Sequence, residues 1–92
     1  MPGDAIVNPE DLIRFARALK AFDSELMQIH ARMQMEFQRV SQTWRDQQQQ
    51  KFSGEFEQMT QLLRHFHQTA EQHVPQLMGK AGLAQDYLNH AR

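Results

Sequence analysis

The chain of 92 residues carries no cysteine, ten Lys and Arg against eleven Asp and Glu, and 40% hydrophobic residues. That size allows one small domain with little apolar surface to bury, and the missing cysteines exclude a disulfide or thiolate-metal staple. A net charge of −1, with no cluster of basic residues, excludes a reader of the phosphate backbone, so nucleic acid is not an expected partner.

The opening, Met1 to Val7, lacks the basic start and apolar stretch of a cleavable signal peptide. No apolar run approaches the ~20 residues needed to span a bilayer. The expectation is a protein made in the cytoplasm, with any export needing a dedicated machine.

The first element is a helix over about residues 9–42. Leu12, Phe15, Leu19, Phe22, Leu26, Ile29, Met33, Phe37, Val40 and Trp44 recur in steps of three and four, which places them on one helical face. Asn8 is suited to cap it, Pro9 to its first position, and Glu10 and Asp11 to the positive end of its dipole.

The sequence SQTWRDQQQQKF then raises the question of whether the chain turns. Arg45–Lys51 is seven polar residues, nearly two helical turns, and would leave a gap in any continuous apolar seam. Thr43 with Asp46, or Asp46 with Gln49, fits a capping box opening a new helix. A turn over about 43–46 is therefore expected. The absence of Gly or Pro keeps an uninterrupted rod as the alternative.

A second stripe follows at Phe52, Phe56, Met59, Leu63, Phe66, Ala70, Val74, Leu77, Ala81, Ala84 and Leu88. It predicts a helix over about 47–74. Pro75 removes a backbone hydrogen bond, and Gly79 and Gly82 weaken helix by about 1 kcal/mol each. A kinked or broken helical extension over about 76–91 is expected, overhanging the shorter first arm from about Ala81.

The fold class is all-α: an antiparallel two-helix hairpin in a single domain, 1–92. One seam between two helices leaves flanks exposed, including Ile13, Met27, Met35, Leu62 and Leu83. A second hairpin covering them would complete a four-helix bundle, so a dimer is expected.

With its Trp at the turn, an opening of the kind IVNPEDLIRFARAL and a heptad-like stripe on both arms, the chain resembles the WxG family. These are small helical-hairpin proteins associated with type VII secretion, of the early-secreted-antigen kind. The resemblance covers nearly the whole chain. It implies that Trp44 packs at the turn, that the partner is a second copy or a paralogous hairpin, and that a secretion ATPase or a larger toxin is a further partner. It also implies export without a cleavable signal peptide, through a recognition tail at Asp86, Tyr87 and Leu88. Two positions depart from the family pattern: Asp46 stands where the motif has Gly, and Ala91 stands four after Tyr87, where the export signal has an acid.

No catalytic, metal or cofactor site is expected. His65 and His67 lie two apart and so point to opposite sides of a helix, whereas a metal-binding pair wants a spacing of four; both are expected to be solvated. Glu25, Glu36, Glu55 and Glu57 do not make a di-iron pattern, and no nucleophile stands beside a general base. The expected function is a non-enzymatic interaction module, either a type VII-like secretion substrate or its dimeric partner or chaperone. The alternatives are an intracellular helical adaptor and a structural coiled coil that is not exported.

Overall fold

The computed structural model describes residues 7–90. Two helices account for nearly all of them: α1, Pro9–Val40, and α2, Gln47–His90. No strand occurs among the described residues. They form a helical hairpin, so the chain does turn in the polar stretch.

α1 starts as its sequence dictates. Asn8 Oδ1 accepts the Glu10 and Asp11 amides at 2.9 and 3.2 Å, satisfying two donors that a helix start leaves without partners. The helix ends without glycine. The Gln42 and Thr43 amides donate to Arg39 O and Val40 O, and the Trp44 amide also donates to Val40 O at 2.9 Å, a tightened last turn that uses the final carbonyls.

α2 opens at Asp46. Its Oδ1 accepts the Gln49 amide at 2.9 Å, and its carbonyl accepts the Gln50 amide. Of the two capping boxes the sequence allows, the structure forms the cap half of Asp46 with Gln49. Gln49 does not reach back to the cap; its Nε2 donates to Ser41 Oγ at 3.0 Å, tying the new helix to the end of the old one.

α2 then runs through Pro75 to His90 in one piece, so the extension expected beyond residue 74 is a continuation of α2. Pro75 lies on the exposed side, while Ala70 and Ala81 are buried and Val74 and Leu77 half-buried on the other. Packing on that other face carries the helix across a residue that alone would cost it about 3 kcal/mol. The expected end of that extension, residue 91, lies outside the described residues.

The chain groups into two compact units. One joins the residues up to Phe22 with those from Thr69; the other is Asp23–Gln68. In the first, Ala16, Ala70 and Ala81 are buried, with Leu12, Leu19, Val74, Leu77 and Ala84 half-buried around them. Ala81 is 1% exposed, which corrects the expectation that the chain overhangs from there. Val7 and Pro9 line a groove together with Gln85 and Leu88, while residues 85–90 are all exposed.

The second unit holds the turn and most of the aromatic side chains. Phe56 and Thr60 are buried, Leu26, Phe37, Trp44 and Leu63 half-buried. Asp23 is buried as well.

Candidate functional site: an aromatic turn, two polar layers and an exposed apolar flank

Along α1 Pro9, Ala16 and Asp23 are buried and His30 and Phe37 half-buried, each seven after the last, with Trp44 seven further on beyond the helix end and half-buried Leu12, Leu19 and Leu26 between. Along α2 Phe56, Thr60, Ala70 and Ala81 are buried, and Leu63, His67, Val74, Leu77 and Ala84 half-buried. Both sets follow a seven-residue repeat. This agrees with the stripe read from hydrophobicity at Leu12, Leu19, Leu26 and Phe37 and over most of α2, but departs from it at other positions of α1. Phe15 and Phe22, expected inside, are 58% and 55% exposed, and Ile29, Met33 and Val40 are exposed too. The inward positions of α1 go instead to small or polar residues one place further on. An alanine or a hydrogen-bonded polar side chain lets two helices approach, whereas a phenylalanine fits better at the edge of the seam.

At the turn, five rings pack in series. Trp44 lies against Phe52 with centroids 6.2 Å apart, Phe37 against Phe52 at 5.4 Å and Phe56 at 5.1 Å, and His30 stacks on Phe56 at 5.8 Å. These offset and tilted contacts add to the burial of the rings. Trp44, expected to pack at the turn, is half-buried there at the end of the series. Beside it Met33, Glu36, Phe37, Val40, Trp44, Phe52 and Phe56 line a groove of about 370 Å³. Asp46, the other turn residue expected to matter, is exposed and acts as the helix cap described above.

Two polar layers join the helices behind the aromatic cluster. Asp23 is 8% exposed, and both its carboxylate oxygens lie within hydrogen-bond distance of His67 Nδ1, at 2.8 and 3.0 Å. A carboxylate only accepts, so Nδ1 carries the hydrogen. One step of seven nearer the turn, His30 Nε2 lies 2.9 Å from Thr60 Oγ1, and the Thr60 hydroxyl donates to Phe56 O at 3.0 Å. That hydroxyl has one hydrogen, so His30 Nε2 is the donor to it. His65 is exposed as expected; His67 is not solvated but half-buried in this pair. The signal for the four residues was the seven-residue spacing that links Asp23 and His30 to Ala16, Phe37 and Trp44.

The expected interface positions separate by exposure. Ile13 and Met27 are half-buried, while Met35, Leu62 and Leu83 are exposed. In the expected recognition tail, Asp86, Tyr87 and Leu88 are helical and exposed, Tyr87 at 67%. Among the described residues no group of three or more His, Cys, Asp or Glu is placed to hold a metal ion, and no helix is long and apolar enough to cross a membrane.

A two-helix hairpin closed by a tryptophan-bearing turn, with an apolar flank left open, defines a small helical protein of the WxG class. The family model described as WXG100, proteins of 100 residues with WXG, matches residues 5–86, and the chain belongs to that family. The family is associated with type VII secretion. The match spans the Trp44–Arg45–Asp46 turn and ends at Asp86, just before Tyr87. No curated protein and no solved structure matches the chain.

Proposed function

We propose that the chain is a non-enzymatic WxG-type module that pairs with a second hairpin, its own copy or a paralogue, and serves a type VII-like secretion machine as substrate or dimeric chaperone. The observation that carries this reading is the open flank of the Asp23–Gln68 unit. Ile29, Met33, Phe52 and Met59 are each between 41 and 49% exposed there, and apolar surface of this kind in a small protein marks an interaction site. A second hairpin covering it gives a four-helix bundle. Ile13 and Met27 are the further contact positions. Met35, Leu62, Leu83 and the tail at Asp86, Tyr87 and Leu88 are available to the secretion ATPase or a larger toxin.

Ala91, four after Tyr87, favours a second reading, in which the dimer stays inside as an adaptor. Light scattering on the eluted protein should give twice the chain mass of 10.8 kDa. The double variant Ile29→Glu, Met59→Glu should give a helical monomer. A wild-type protein that is monomeric and cooperatively folded overturns the pairing. In a host carrying the membrane ATPase, the chain should reach the medium only when the ATPase is intact; retention in both cases selects the adaptor.

A further inference from the structure

The turn of this chain lacks the residue types that ordinarily fix where a chain reverses. Asp46 occupies the motif's glycine position, no Gly or Pro stands between Ser41 and Phe52, and no described residue has a positive φ. The stretch Arg45–Lys51 is uniformly polar, so the reversal point could move along it with little change in what is exposed. Away from the ring series at the turn, the apolar seam does little to prevent that movement. Its leucine and alanine positions repeat every seven residues on both helices, so a slip of seven brings similar side chains to the seam.

The polar layers do not repeat in that way. Asp23 meets His67 and His30 meets Thr60, a step of seven along α1 matched by a step of seven back along α2. A slip of seven in one direction sets His30 against His67 and takes the imidazole away from Asp23. The opposite slip sets Asp23 against Thr60 and His30 against Ser53. Either way a carboxylate now 8% exposed loses its charge-assisted donor, which a buried carboxylate tolerates poorly. No buried side-chain nitrogen or oxygen among the described residues lacks a hydrogen-bond partner, so the observed register satisfies both layers.

We propose that the Asp23–His67 and His30–Thr60 layers are the register lock of the hairpin, selecting the one reversal point that puts Trp44 on Phe52 and Asp46 at the start of α2. The lock specifies and does not chiefly stabilise. Replacing a buried polar pair by apolar side chains of similar volume commonly leaves stability equal or higher while removing a determinant of pairing. It acts within one chain and does not rest on the secretion reading.

The test compares the wild type with an apolar-seam variant (Asp23→Leu, His30→Leu, Thr60→Val, His67→Leu) and a swapped variant (Asp23→His, His67→Asp). Each is read by thermal melt, by backbone amide resonances over residues 41–52 and by Trp44 emission. The apolar-seam variant should melt no lower than wild type. It should show a second set of turn resonances at about a tenth of the intensity or more, a detectably populated competing state, and red-shifted Trp44 emission. The swapped variant, which keeps a carboxylate–imidazole pair in the same layer, should give a single set. A single wild-type-like set from the apolar-seam variant overturns the proposal, as does loss of its helix content. Multiple sets from the swapped variant overturn it too.

Discussion

Asp46 caps the second helix: its carboxylate accepts the Gln49 amide at 2.9 Å, in a turn where no described residue has a positive φ. The aspartate therefore does not imitate the motif glycine's conformational freedom. It satisfies a donor that α2 would otherwise leave open. Asp46→Gly should cost only a few tenths of a kcal/mol and Asp46→Ala about 1 kcal/mol. Denaturant melts of the two variants check the order. Equal losses would mean that the cap is not what Asp46 contributes.

Trp44 is half-buried at the end of the ring series, against Phe52. Full burial of a large aromatic would make truncation cost ~3–5 kcal/mol; at this open end Trp44→Ala should cost about 2–3 kcal/mol. A thermal melt reads it, and an unchanged midpoint would show that the turn closes without the ring.

The start of α1 and the place of the turn were legible because local chemistry decides them. Asn8 and Asp46 accept amides within three residues of themselves, as the sequence says they should. That the chain stays helical past Pro75 was legible from its stripe; that one helix runs through it was not, because local chemistry there opposes helix and the packing of Ala70, Val74, Leu77 and Ala81 overrules it. On α1 the inward face was read one position off at Phe15 and Phe22. Phe15 and Phe22 outweigh Ala16 and Asp23 on any hydrophobicity scale, yet helix approach favours the smaller pair and the phenylalanines stay outside. Asp23 stands seven after Ala16 and seven before His30, a spacing that marks the seam, but its partner His67, 44 positions away, was not legible from it.

That pairing gives a contrast between neighbouring histidines. His67 supplies Asp23 with its donor, and removing it leaves a buried carboxylate unsatisfied, so His67→Ala should cost about 1–3 kcal/mol. His65 is exposed, and His65→Ala should fall within about 0.5 kcal/mol of wild type. Urea midpoints of the two variants, measured side by side, decide it. Similar effects at both positions would remove the Asp23–His67 bond from the account of stability.

Tyr87 separates recognition from folding at the far end of α2. Its side chain is 67% exposed, whereas its neighbour Leu88 lines a groove with Val7 and Pro9. Truncating a side chain this exposed removes little packing, so Tyr87→Ala should move the thermal midpoint by no more than about 0.5 kcal/mol in stability. Leu88→Ala withdraws an apolar side chain from the α1 entry and should cost more, about 1 kcal/mol of burial. If the tail is the recognition element, Tyr87→Ala should nonetheless abolish export by the membrane ATPase, or capture of the client, while the dimer persists in light scattering. Loss of the dimer would place Tyr87 in the pairing surface. Intact dimer together with intact capture would move recognition to the exposed Met35, Leu62 and Leu83, and glutamate at those three positions then becomes the next measurement.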